Sequence, residues 1–178
     1  MAIRLLRTLA AARRATSAIE FAIVAPILVI LATGTVGLSE VIRARTDLTT
    51  AAQTMAQLIA TQTTVTTTQI SDFCTGSLDE MIPYSTTGLQ ISVASVTRGA
   101  TSGKVGLDWH NESCGNGSAL TSATTLAANV VPSNGDSTIV VQATYTFHNP
   151  LALVLPSIFS VTTVAFARPR ANTTVTHP

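Results

Sequence analysis

RRATSAIEFAIVAPILVILATGTVGLSE, residues 13–40, decides the fold. A lone carboxylate, Glu20, stands just inside an apolar run that carries no charge from Phe21 to Leu38. At about 1.5 Å of rise per helical residue, those roughly 18 residues nearly cross a hydrocarbon core of about 30 Å, more easily with their flanks. A carboxylate placed there costs about 2.5–3.5 kcal/mol on insertion scales, so Glu20 calls for a partner or a purpose. Arg4, Arg7, Arg13 and Arg14 precede the run, and no acidic residue comes before Glu20. A purely basic leading segment predicts an N-terminus that stays in the cytoplasm and a chain exported beyond the helix.

Downstream of the apolar run the helical pattern continues with a change of character. Val41, Ala44, Leu48, Ala51, Ala52, Met55 and Ile59 recur at helical spacing, while Arg43, Asp47, Thr50, Gln53 and Gln57 fill the opposite face. One long helix is predicted, apolar all round over residues 16–39 and amphipathic over 40–62. Pro26 removes one backbone hydrogen bond within it and is expected to kink it, which membrane helices tolerate. Thr61 to Thr68 is almost all Thr and Gln and predicts the helix end. A short second helix follows, with Ile70, Phe73, Cys74, Ser77, Leu78 and Met81 on one face, Thr67 or Thr68 as its N-cap and Pro83 as its stop.

From Leu89 the period falls to two. LQISVASVTR, residues 89–98, reads as a strand, GATSG as a turn, and KVGLDWH, residues 104–110, as a returning strand with Val105, Leu107 and Trp109 on one face. The polar stretch NESCGNGS reads as a loop. SNGD, residues 133–136, is a turn before STIVVQATYTFHN, whose alternation puts Ile139, Val141, Ala143, Tyr145 and Phe147 on one face. LALVLPSIF, residues 151–159, is too short to span a bilayer and reads as an amphipathic connection lying on the sheet or a membrane. SVTTVAFARPR supplies the last strand, and residues 171–178 a polar tail. Residues 63–170 thus form an α+β domain with an antiparallel sheet of about four strands.

Composition narrows the functional classes. Charged residues make up 11% of the chain against 46% hydrophobic, and the net charge is +1, so no electrostatic footprint for nucleic acid exists. Cys74 and Cys114 both fall in the exported part. An even pair in an oxidising compartment points to one disulfide, which would tie the NESCGNGS loop to the short helix; two buried thiols are the other reading. Neither has a second cysteine or a histidine at zinc-ligand spacing. His110, His148 and His177 are far apart in sequence, Asp79 and Glu80 point in different directions on a helix, and neither a GxSxG elbow nor a phosphate-binding glycine loop occurs. No catalytic, metal or cofactor site is expected, and the protein is not expected to be an enzyme.

Around TSAIEF the chain resembles the TadE/TadF/TadG group of pseudopilins, the minor pilin-like proteins of tight-adherence (Flp-type) type IV pili. AIEFAIVAPILVILATG is similar to the membrane segment of that group, DLTTAAQTMAQLIATQTTVTTTQISDF to its helical continuation, and KVGLDW and VVQATYTFHNPLALVLPSIFSVTTVAFARPR to its later strands. The resemblance implies a leader, residues 1–15, removed by a prepilin peptidase between Ala15 and Thr16. Glu20 then becomes the fifth mature residue, followed by the aromatic Phe21. Ala15 stands where the group usually has Gly. The resemblance further implies a pilin-like fold and a single-pass protein of the bacterial inner membrane with its C-terminal domain in the periplasm. Its expected partners are other pilin-like subunits, the pilus assembly machinery and inner-membrane lipid, with Glu20 meeting the free amine of a neighbouring subunit. Two other readings compete: an ordinary secretory signal cut near Ala32-Thr33-Gly34, and a membrane-anchored binding protein that never enters a filament.

Overall fold

The computed structural model describes residues 2–115, 117–148, 158–170 and 174–178. Two compact units result, the first holding the chain up to Glu40, the second Val41–His148 and Ile158–Pro178. The helix α1, Ala2–Ala60, passes through Pro26 without ending. In its first unit the apolar side chains are uncovered: Ile19, Phe21, Ile23, Ile27, Val29 and Leu31 are each more than half exposed. The polar side chains of this stretch bond to their own helix. Thr33 donates to the carbonyls of Val29 and Ile30, Thr35 to those of Leu31 and Ala32, and Ser39 to that of Val36. A helix that satisfies its own hydroxyls in this way loses little on entering lipid.

The second unit begins where α1 becomes two-faced. Ala44, Leu48, Ala51, Ala52, Met55, Ile59 and Ala60 are all buried, as the 3.6-residue period predicts. Alanine makes up much of this face and lets the helix lie close to the sheet. Thr61 ends it: its hydroxyl donates to the Leu58 carbonyl at 2.7 Å, and the Arg170 amide donates to the Ala60 carbonyl at 2.9 Å. These partners satisfy carbonyls that a helix C-terminus would leave open.

Helix α2, Thr67–Asp79, starts one residue earlier than the sequence reading places it. Thr66, not Thr67 or Thr68, is the N-cap. Its hydroxyl accepts from the Gln69 amide, and the Gln69 side chain accepts from the Thr66 amide at 2.9 Å. The T-x-x-Q spacing completes a capping box, which satisfies two open donors at once and selects Thr66 over its neighbours. Among the predicted face, Ile70, Cys74, Ser77 and Met81 are buried.

Four antiparallel strands follow: β1 Leu89–Arg98, β2 Val105–Cys114, β3 Ser137–His148 and β4 Ile158–Ala167, in the order β2-β1-β3-β4. The fold is α+β. Ile139, Val141, Ala143, Tyr145 and Phe147 join the core beneath α1 and α2, as their alternation predicts. Tyr84, Tyr145 and Phe147 meet edge to face with centroids 6.1–6.3 Å apart. Burial there, with Tyr84 adding to it, raises the Tyr145 phenol above its usual 10.0, so it stays neutral in the core.

Three features depart from the sequence reading. Strand β2 runs on through NESC to Cys114, a stretch expected to be loop. A register shift between Ser95↔Trp109 and Val96↔Leu107 leaves Asp108 as an extra residue. That bulge turns the strand over, so Trp109 packs with the α1 core while Val105 packs on the opposite side of the sheet. Val105, Leu107 and Trp109 therefore do not share a face. The third feature is a second layer: Ala94, Val96 and Val140 are covered by Leu120, Ala123, Ala127 and Val131, around a short helix α3, Ala123–Ala127.

Arg98 fixes this second layer in place. Its guanidinium donates to the carbonyls of Val131 at 2.5 Å, Gly103 at 2.8 Å and Ala128 at 2.9 Å. One cation thus joins the β1–β2 turn to the segment that carries α3, with three charge-assisted bonds to carbonyls. Residues 174–178, polar in composition, are seated on the domain. Val175 is buried, Thr176 bridges to Thr64, and the Trp109 indole donates to the Val175 carbonyl at 2.7 Å. The connection expected at 151–159 lies outside the described residues, apart from the backbone at the start of β4.

Candidate membrane anchor and its sheet domain

Glu20 lies on the exposed surface of α1 with Ile19 and Phe21 beside it, 63% and 67% exposed. Among the described residues the ion pairs are His110–Glu112 and Arg168–Asp136, and neither involves Glu20. A single carboxylate thus heads a helix surface whose large apolar side chains, from Ile19 to Leu38, are exposed. Soluble monomers rarely expose a contiguous apolar surface of this extent. By length and composition, the described part of α1 contains one stretch able to cross a membrane. Ala15 and Thr16 fall within α1, but their side chains lie outside the described residues.

The cysteine pair is resolved. Cys74 on α2 and Cys114 at the end of β2 form a disulfide, with Cα atoms 5.7 Å apart at a sequence separation of 40. The reading as two separate buried thiols is thereby excluded. Gly115 follows directly at φ +69°, and a Cβ there would stand 2.2 Å from the Leu89 carbonyl oxygen. Only glycine lets the chain turn so close to the start of β1. The bridge and this turn together fasten α2 to the edge strand of the sheet.

The remaining titratable groups are dispersed. His110 pairs with Glu112, two residues along β2, whereas His177 stacks on Trp109 with centroids 5.2 Å apart. The Asp108 carboxylate accepts from Ser95 at 3.0 Å and Thr97 at 2.6 Å, bonds made across the bulge. Among the described residues no group of three or more His, Cys, Asp or Glu stands together. Sequence reasoning did not find the roles of Arg98 or Val175. Each depends on a partner more than 30 residues away, Val131 for Arg98 and Trp109 for Val175.

No curated protein and no solved structure matches the chain. A family model does: that of TadE-like protein matches residues 15–57, from the expected cut through the exposed apolar segment and into the buried face of α1. Over those residues, which hold Glu20 and the apolar stretch that follows it, the chain is similar to TadE-like protein.

Proposed function

We propose that this protein is a minor pilin, or pseudopilin, that acts in assembly of a tight-adherence type IV pilus. The observation that carries the reading is the bare apolar surface of α1 headed by Glu20, lying wholly within the TadE-like match. Its role is structural rather than catalytic. The helix holds the subunit in the bacterial inner membrane, then packs laterally against other pilin-like helices. Arg4, Arg7, Arg13 and Arg14 keep the leader in the cytoplasm, and the disulfide agrees with a periplasmic sheet domain.

In this scheme a prepilin peptidase cuts between Ala15 and Thr16, and the new amine of one subunit faces the Glu20 carboxylate of the next. Pairing offsets the cost of holding either charge in lipid. Lateral packing is tested by placing a photo-activatable residue at Ile27, which is 56% exposed. The expected adduct in native membranes is with other pilin-like helices. Adducts with lipid alone would count against assembly and favour a binding protein that is merely tethered.

A further inference from the structure

Three arginines of the sheet unit are held in very different ways. Arg98 spends its donors on three backbone carbonyls. Arg168 spends one nitrogen, Nη2, on the Val130 carbonyl at 3.1 Å and the Asp136 carboxylate at 3.3 Å. Arg170 is anchored through its backbone amide on the Ala60 carbonyl, while its guanidinium makes no hydrogen bond or ion pair among the described residues. Arg168 and Arg170 line one cleft of about 790 Å³, together with Asp136 and the hydroxyls of Thr63 and Thr174. Those two hydroxyls are also without hydrogen-bond partners among the described residues. The cleft therefore gathers unspent donors, hydroxyls that both donate and accept, and one carboxylate acceptor.

This combination selects among ligands. An apolar ligand finds few apolar walls, since the lining is chiefly hydroxyl and charged. A bare anion such as phosphate suits the arginines but brings no ring hydroxyls for Asp136 and the threonines. A neutral sugar suits Asp136 and the threonines yet leaves Arg170 unused. We propose that the cleft binds a carboxylated saccharide of the uronate class. Arg170 takes its carboxylate, while Asp136, Thr63 and Thr174 exchange hydrogen bonds with its ring hydroxyls. The volume lies in the usual range of about 300–1,000 Å³ for ligand sites. Planar, forked recognition of a carboxylate is the task for which arginine is better suited than lysine. The inference concerns only the sheet domain and is independent of filament assembly.

The test is calorimetric titration of the full chain in detergent with oligogalacturonate and oligomannuronate, beside a neutral galactose oligomer and inorganic phosphate. At least one uronate oligomer is expected to bind, more weakly as salt rises. The neutral oligomer and phosphate are each expected to bind at least about tenfold more weakly, given the strength of a charge-assisted bond. Arg170→Gln removes a guanidinium that bonds to none of the described residues, so it should leave the melting temperature unchanged and lower uronate affinity by about tenfold or more. Thr174→Val should lower it by a smaller factor. Four results overturn the proposal: no uronate binding, equal binding of the neutral oligomer, equal binding of phosphate, or unaltered affinity in Arg170→Gln.

Discussion

Glu20→Ala is expected to leave the protein in the membrane at its normal level and to cut its incorporation into a pilus assembly by two orders of magnitude or more. Both halves follow from the same charge. Removing a carboxylate from an apolar helix lowers its insertion cost, by about 2.5–3.5 kcal/mol at the bilayer centre and less near the interface, so anchoring does not suffer. Assembly suffers because the neighbouring subunit's amine loses its partner inside lipid. Breaking a buried ion pair from one side costs about 3–5 kcal/mol, or roughly two to three and a half powers of ten in association. Glu20→Gln keeps the size and one hydrogen bond but not the charge, and should fall between the parent and alanine. The checks are quantitative immunoblots of membrane and sheared-pilus fractions. Normal piliation with Glu20→Ala would remove the carboxylate from the assembly mechanism.

The second large effect concerns the sheet domain. Replacing Cys74 and Cys114 together by alanine should destabilise it by about 4 kcal/mol, the chain-entropy value for closing a loop of this length. For a domain of this size that corresponds to a fall in melting temperature of roughly 10–20 °C. The loss should also be local in its onset. Helix α2 and the turn at Gly115 are fastened to the sheet edge by this bridge, so their amides should exchange first, while β1 and β3, paired on both sides, should keep their protection. Thermal melts and hydrogen exchange of the detergent-solubilised protein measure both. An unchanged melting temperature would show that the bridge contributes nothing to the constraint it closes.

The parts of the fold written in strong periodicity were legible in the sequence. The buried face of α1 from Ala44 to Ile59 repeats at 3.6 residues, and Ile139 to Phe147 alternate without a break, so both faces could be assigned. LQISVASVTR is bounded by turns and coincides with β1. What could not be read was decided at longer range or by a single inserted residue. Asp108 looks like an ordinary polar member of a strand, yet as a bulge it moves Trp109 to the other side of the sheet. Helix α3, ATTLA, is a single turn or so, too short for a period to emerge, and the segment carrying it is held by the Arg98 bonds to the Ala128 and Val131 carbonyls.

The functional residues divide in the same way. Glu20 was conspicuous because a charge inside an apolar run is costly wherever it occurs. The pairing of Cys74 with Cys114 was one of two readings until α2 and β2 were seen to bring them together. Arg168 and Arg170 face one cleft with Thr63 and Thr174 only because the start of the α1–α2 connection and the end of β4 meet in three dimensions. No spacing in the sequence encodes that meeting.

The account rests most directly on the chemistry of the N-terminus, and intact mass with terminal peptide sequencing of the protein recovered from its native membrane tests it. A chain beginning at Thr16 is the predicted result, with Glu20 in fifth place and a free amine available to a neighbouring carboxylate. A chain that retains residues 1–15 would contradict it, leaving a plain signal anchor and a tethered sheet domain.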